Sequence, residues 1–367
     1  MDRKTQSIRT GIRRQKAEEY LLITMLSFAA SVAVTRLFLF LTGYPQIGGG
    51  TLHIAHVLWG GLLLFVASLL PLLLANRWAF TLSALISGVG VGLFIDEVGK
   101  FITSNNDYFF PWAAPIIYVF FLLTVALYLR VNRPRPDDYR TELYYTLEDL
   151  QELLDHDLSE REKKAILGRL TRVRNLSRHP DLIALATSLE EFIHTHEIEV
   201  VPEEPTRWQH FLTWLEATEG RLLNRKRYRA VLSGVLVALA AWALYYPFVV
   251  ISAAVYNRPM NGLILELVEN ELVNSDLGIT WYSTMLALQV SAGLVILIGA
   301  VLTALGRDRR GFSFVYFGLL FSLTVVNVLV FYFDQFSTIA NSILQFGALL
   351  LLLRYRQKFM QNYNAPV

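Results

Sequence analysis

Six ionisable residues fall within or at the ends of stretches that are otherwise almost free of charge: Arg36, His53, His56, Asp96, Glu97 and Lys100. Ionisable groups in such stretches are expensive and face either a partner or a cavity. Imidazole and carboxylate side chains together offer two kinds of chemistry. They coordinate a divalent metal, zinc or a similar ion, or they take up and release protons. His53 and His56 are spaced i, i+3, which turns both rings to one side of a helix. Asp96 and Lys100 are spaced i, i+4 and pair on a continuous helix, leaving Glu97 to face Arg36 or the histidines.

Four readings of this set follow from residue type. In the first, Arg36 clamps Asp96 or Glu97 and the histidines hydrogen-bond nearby. In the second, His53, His56, Asp96 and Glu97 hold a divalent metal that activates water against a lipid ester, phosphate or amide bond. Asp96 or the spare Glu97 is then the catalytic base. In the third, the same groups relay protons or ions in a transporter of a small solute. In the fourth, Arg36 and Lys100 bind an anionic lipid headgroup without chemistry. A non-catalytic scaffold or sensor, signalling through the helices between the two sets of spans, is the remaining alternative.

The elements that must position these residues are transmembrane helices. The chain has 367 residues, is 54% hydrophobic and only 17% charged, with a mean hydropathy of +0.40. A soluble domain carries about 25% charge. Apolar runs over 20–43, 51–75, 78–103, 110–131, 228–255, 280–304, 312–333 and 337–353 predict about eight spans in an all-α polytopic protein. At about 1.5 Å per residue each crosses a hydrocarbon core roughly 30 Å thick. The first run follows a basic segment, 1–19, but is too long for a signal-peptide core and has no small-residue cleavage pattern after it, so it is read as a span.

Orientation follows from lysine and arginine. With both termini in the cytoplasm, the inner flanks hold 22 of these residues, whereas the outer loops hold only Arg258, with Lys100 at a helix end. That asymmetry predicts a prokaryotic cytoplasmic (inner) membrane protein with an inner N-terminus and an inner tail, 354–367. It also places the six residues at one depth. Arg36 lies roughly 24 Å along span one, His53 and His56 within about 8 Å of the outer boundary of span two, and Asp96 and Glu97 about 27 Å along span three.

Residues His53-Ile54-Ala55-His56-Val57-Leu58-Trp59-Gly60, followed by Gly88-Val89-Gly90-Val91-Gly92-Leu93-Phe94-Ile95-Asp96-Glu97, form a pattern. It resembles a group of uncharacterised prokaryotic integral membrane proteins with a histidine-pair helix and then a glycine-rich helix ending in Asp-Glu. The resemblance covers roughly residues 50–103. It implies that His53, His56, Asp96 and Glu97 act together, and it brings no activity or substrate. The glycines lie in mid-helix, so they read as a surface for close helix packing, with Gly60 and Gly61 as a matching face, and not as a phosphate loop.

Between spans four and five, 132–227 holds 15 Lys/Arg and 19 Asp/Glu. Leu143, Leu147, Leu150, Leu153 and Leu154 recur at helical spacing. Ser159 and Glu162 form a capping box, Pro180 opens another helix, and a last helix starts near Thr206. A small cytoplasmic domain of three or four helices is predicted. Its basic helix, with Arg161, Lys163, Lys164, Arg169, Arg172, Arg174 and Arg178, reads as a solvated face balanced by acidic neighbours; contact with anionic lipid is the alternative.

The second half carries Gln289, Asn327, Asp334 and Asn341 within apolar runs. Asn327 and Gln289 read as interhelical hydrogen bonders, and Asp334 as a further member of the outer cluster. The outer loop over 256–279 contains an amphipathic stretch that rests on the membrane surface. The net charge of +2 does not suggest a nucleic-acid partner. With no cysteine in the chain, disulfides and thiolate chemistry are excluded. Membrane lipids are the expected surroundings, and a lipid or small solute the expected ligand.

Overall fold

The computed structural model describes residues 11–43, 55–133, 138–154, 158–195, 201, 213–214, 219, 224–255 and 276–360. Among these the chain is helical with no strand; one isolated bridge pairs Ser159 with Val201. The elements are α1 (Ala17–Thr42), α2 (His56–Leu73), α3 (Arg77–Ile95), α4 (Val98–Ile102) and α5 (Ala113–Val131). Next come α6 (Tyr139–Leu154), α7 (Glu160–Leu176) and α8 (Pro180–Thr195), then α9 (Arg225–Val255), α10 (Asp276–Ala304), α11 (Asp308–Phe321), α12 (Asn327–Asp334) and α13 (Ile339–Phe359). A π-turn, Ser322–Val326, joins α11 to α12.

Among the described residues, seven helical segments are long and apolar enough to cross a membrane. They coincide with the first seven predicted spans, so the protein is an all-α polytopic membrane protein. Helix α13, where the eighth span is predicted, is 21 residues long but is not among the seven. Asn341, Ser342 and Gln345 near one end and Arg354, Arg356 and Lys358 near the other dilute its apolar stretch. It nevertheless runs the length of its bundle. Asn327 donates to Ser342 and Gln345 near the first end, and Tyr355 packs on Tyr228 near the second.

Two compact units divide the chain. The first takes residues 1–28, 62–90 and 124–212. In it α1 and α3 approach closely. A Cβ on Gly88 would overlap Ser27 Oγ and Thr24 O and reach 3.0 Å from Phe28 N. Thr24 Oγ1 donates to Ala84 O at 3.1 Å, and Ser83 Oγ donates to Ala67 O at 2.7 Å, tying α1 to α3 and α3 to α2. The glycine-rich stretch does allow close packing, but its partner is α1; nothing lies within 4 Å of a Cβ on Gly61.

The same unit contains α6–α8. Leu143, Leu158, Ile166, Leu170, Val173, Ala186 and Ile193 form their core, with Leu150 and Leu153 packed against it. Leu147 and Leu154 stay exposed, outside the predicted apolar face. The capping box of Ser159 and Glu162 is present, and Pro180 is the first residue of α8. Three of the basic residues of α7 pair with acids: Arg169 with Asp149, Arg172 with Glu142 and Arg174 with Glu190. Asp149 is buried and also receives Arg77 from the start of α3, which further pairs with Glu152. The basic face is thus balanced locally, in agreement with the solvated-face reading. The helix predicted near Thr206 begins outside the described residues.

The second unit takes residues 29–61, 91–123 and 213–367. Its main core joins α9, α10, α11 and α13 through Leu232, Leu236, Ala240, Ile296, Ala300, Val315, Leu319, Ala348 and Leu352. The amphipathic stretch predicted from 256 lies outside the described residues as far as 275.

Gly88→Val should insert a branched side chain into the α1–α3 contact, an overpacking that costs about 1–3 kcal/mol. The melting temperature of purified protein in detergent should fall for Gly88→Val and stay unchanged for Gly61→Val. Equal melting of the two variants would show that the glycine stretch does not set this packing.

Candidate functional site

Helix α3 stops at Ile95 and α4 starts at Val98, so Asp96 and Glu97 occupy the turn between them. Glu97 has φ −93° and ψ 12°, in the bridge region where many active-site residues sit. This break changes the pairing predicted from helical spacing. Lys100 pairs with Glu97, Nζ to Oε1 at 3.0 Å, and not with Asp96. Asp96 turns to Arg36 instead, with Nε to Oδ1 at 2.5 Å. Arg36 Nη2 also donates to the Asp96 carbonyl at 2.8 Å.

The second Asp96 oxygen, Oδ2, accepts from Tyr108 OH at 2.7 Å and faces His56 Nε2 at 3.1 Å. The other ring nitrogen of His56, Nδ1, lies 3.2 Å from Glu97 Oε1. One imidazole therefore bridges two consecutive carboxylates. Asp96 is fully buried and Glu97 and Arg36 nearly so, whereas the side chains of His56 and Lys100 are 22% and 24% exposed.

The loop after α4 completes the site. A Cβ on Gly99 would come 2.7 Å from Asp107 O, so the loop can fold back against α4 only over a glycine. Thr103 Oγ1 accepts from Asp107 N at 2.8 Å, and Asp107 Oδ1 accepts from Phe109 N at 2.9 Å. These bonds fix a turn that sets Tyr108 over Asp96. Burial, and then the Asp96 charge, push the Tyr108 hydroxyl far above the ordinary phenol range, so it remains a donor.

The Arg36 guanidinium sits between two rings, 4.1 Å from the Tyr108 centroid and 3.6 Å from that of Phe336. Such contacts stabilise a desolvated cation. Phe336 is delivered by a tight turn after α12, where Gln335 adopts φ +48° and donates through Nε2 to Phe109 O at 3.1 Å. Sequence reasoning missed Tyr108 and Phe336. Both are ordinary aromatics near helix ends, and only the fold brings them to Arg36. Asp334, predicted to join the cluster, ends α12 two residues before Phe336.

Of the predicted site residues, the structure brings Arg36, His56, Asp96, Glu97 and Lys100 together. His53 lies outside the described residues, and α2 begins only at His56. Among the described residues no group of three or more His, Asp or Glu is arranged to hold a metal ion. Both Asp96 oxygens are engaged by Arg36, Tyr108 and His56, which leaves His56 Nδ1 and Glu97 as the remaining ligand atoms. Within this cluster, Glu97 Oε2 and Arg36 Nη1 are buried with no hydrogen-bond partner among the described residues. Buried polar atoms are rarely left so, and they mark where a proton, water or ligand would be received.

Comparison with protein-family models, curated proteins and solved structures yields no match.

Removing one partner of a buried ion pair leaves an uncompensated charge and costs about 3–5 kcal/mol. Arg36→Leu and Asp96→Leu should each lower the melting temperature sharply, while the double variant recovers part of the loss. Strict additivity of the two single losses would rule out a direct clamp.

Proposed function

We propose that the protein is a multi-pass proton-exchange protein of the prokaryotic cytoplasmic membrane, with His56 passing protons between Glu97 and Asp96 and coupling that movement to transport of a small solute. The observation that carries this reading is the position of the imidazole, with one nitrogen 3.1 Å from Asp96 and the other 3.2 Å from Glu97. An imidazole so placed takes a proton on one nitrogen and releases one from the other, and the chain of contacts continues to Tyr108. Arg36 and Lys100 balance the two carboxylates.

The partners have distinct tasks. Arg36 and Tyr108 hold Asp96 in place, as a carboxylate that orients a histidine must be held. Glu97 keeps one oxygen, Oε2, without a partner among the described residues and so retains a position for a proton. The lysine and arginine asymmetry of the sequence puts this end of α3 at the outer face and both termini in the cytoplasm.

Proteoliposomes containing the wild-type chain should show proton uptake driven by a pH gradient. Glu97→Gln and His56→Ala should each reduce the rate at least tenfold while melting within a few degrees of wild type. Unchanged flux in both variants would sink the proposal. Stoichiometric transition metal in the purified protein, lost on His56→Ala, would replace it by metal chemistry at His56 and Glu97.

A further inference from the structure

A second polar group lies inside the second unit, in surroundings that are otherwise apolar. Tyr118 of α5, Ser322 and Asn327 at the π-turn, and Ser342 and Gln345 of α13 are all buried. The turn interrupts the 27-residue segment Asp308–Asp334 close to its middle. Helices broken near mid-membrane are a recurrent way to build ion sites, because the break frees backbone oxygens, and π-turns are frequent at functional positions.

Here the Asn327 N–H reaches back five residues to Ser322 O, and Leu323 O instead accepts from Tyr118 OH at 2.6 Å. With its hydrogen committed to Leu323, the Tyr118 oxygen turns lone pairs toward Asn327. Three oxygens then converge on one atom. Asn327 Nδ2 lies 3.0 Å from Gln345 Oε1, 3.1 Å from Ser342 Oγ and 3.3 Å from Tyr118 OH. An amide nitrogen carries two hydrogens and cannot serve three acceptors fully. Ser322 Oγ adds a further oxygen, 3.2 Å from Gln345 Oε1.

We propose that these residues form a binding site for a monovalent cation, sodium or potassium, bound when the Asn327 amide makes a half-turn and presents Oδ1 in place of Nδ2. The ion then meets oxygens from Asn327, Gln345, Ser342 and Tyr118, all of them neutral. Neutral oxygens replace the hydration shell of a monovalent ion, whereas a divalent ion would keep two uncompensated charges in an apolar bundle. Thr338 Oγ1, four residues before Ser342 in sequence, is also buried with no hydrogen-bond partner among the described residues. The inference rests on the reading that the protein moves a solute, and supplies the ion that such movement uses.

The test is binding, measured apart from flux. Full-length protein in detergent is melted in sodium, potassium or choline chloride at constant ionic strength. In one of the two metal salts the melting temperature should rise above the choline value and keep rising with the logarithm of concentration. Ser342→Ala should shift the half-effective concentration at least tenfold, while Ser291→Ala, whose exposed hydroxyl donates to Ala287 O of its own helix, should not. If Ser342→Ala proves unstable, sodium-23 or potassium-39 line broadening by the wild-type chain reads the same site. Identical melting in all three salts with no broadening would overturn the inference. Glu97→Gln should keep the cation-dependent melting, so unchanged proton flux in Glu97→Gln and His56→Ala with retained melting shifts would remove the proton reading alone.

Discussion

A carboxylate withdrawn from water at the end of an apolar helix is the constraint around which this end of the protein is built. An ionised group of that kind carries a desolvation penalty of several kcal/mol unless charge and hydrogen bonds surround it. Asp96 meets the requirement with an arginine from α1, a histidine from α2 and a tyrosine from the loop after α4. Each of these imposes a further condition. Tyr108 reaches Asp96 only because the loop folds back over Gly99, and Arg36 is covered on its other side by Phe336. A single buried charge thereby organises four separate stretches of chain.

The same logic acts in the helical segment between the two sets of spans. Asp149 is buried and is held by arginines from α3 and α7. Removing either partner would leave the other groups desolvated. By contrast the pairs of Arg172 with Glu142 and Arg225 with Asp308 involve half-exposed arginines, and pairs of that kind contribute little to stability. Burial, more than the presence of an ion pair, separates the contacts that fix geometry from those that decorate the surface.

The cluster around Asn327 differs in kind. Its members are neutral, so no desolvated charge forces their arrangement, and an interhelical hydrogen bond in a membrane averages only about 0.6 kcal/mol. What distinguishes it is convergence, with several buried oxygens meeting at a break in a helix. The Asp96 site is charged and partly open through His56, whereas the Asn327 site is neutral and enclosed.

By itself the amino-acid order determined the helical class, the first seven helices apolar and long enough to cross a membrane, the capping box at Ser159 and the gathering of Arg36, His56 and the two acids. Hydropathy, charge placement and capping act locally, so they can be read without coordinates. The tertiary structure alone decided which acid meets which base. The break after Ile95 turns Asp96 toward Arg36 and leaves Glu97 to His56 and Lys100, although unbroken helical spacing would have paired Asp96 with Lys100. It also decided that Gly88 meets α1, that Tyr108 and Phe336 enclose Arg36, and that Asn327 faces three oxygens. Those contacts join residues as far apart as 36 and 336, and distance along the chain carries no local signal of them.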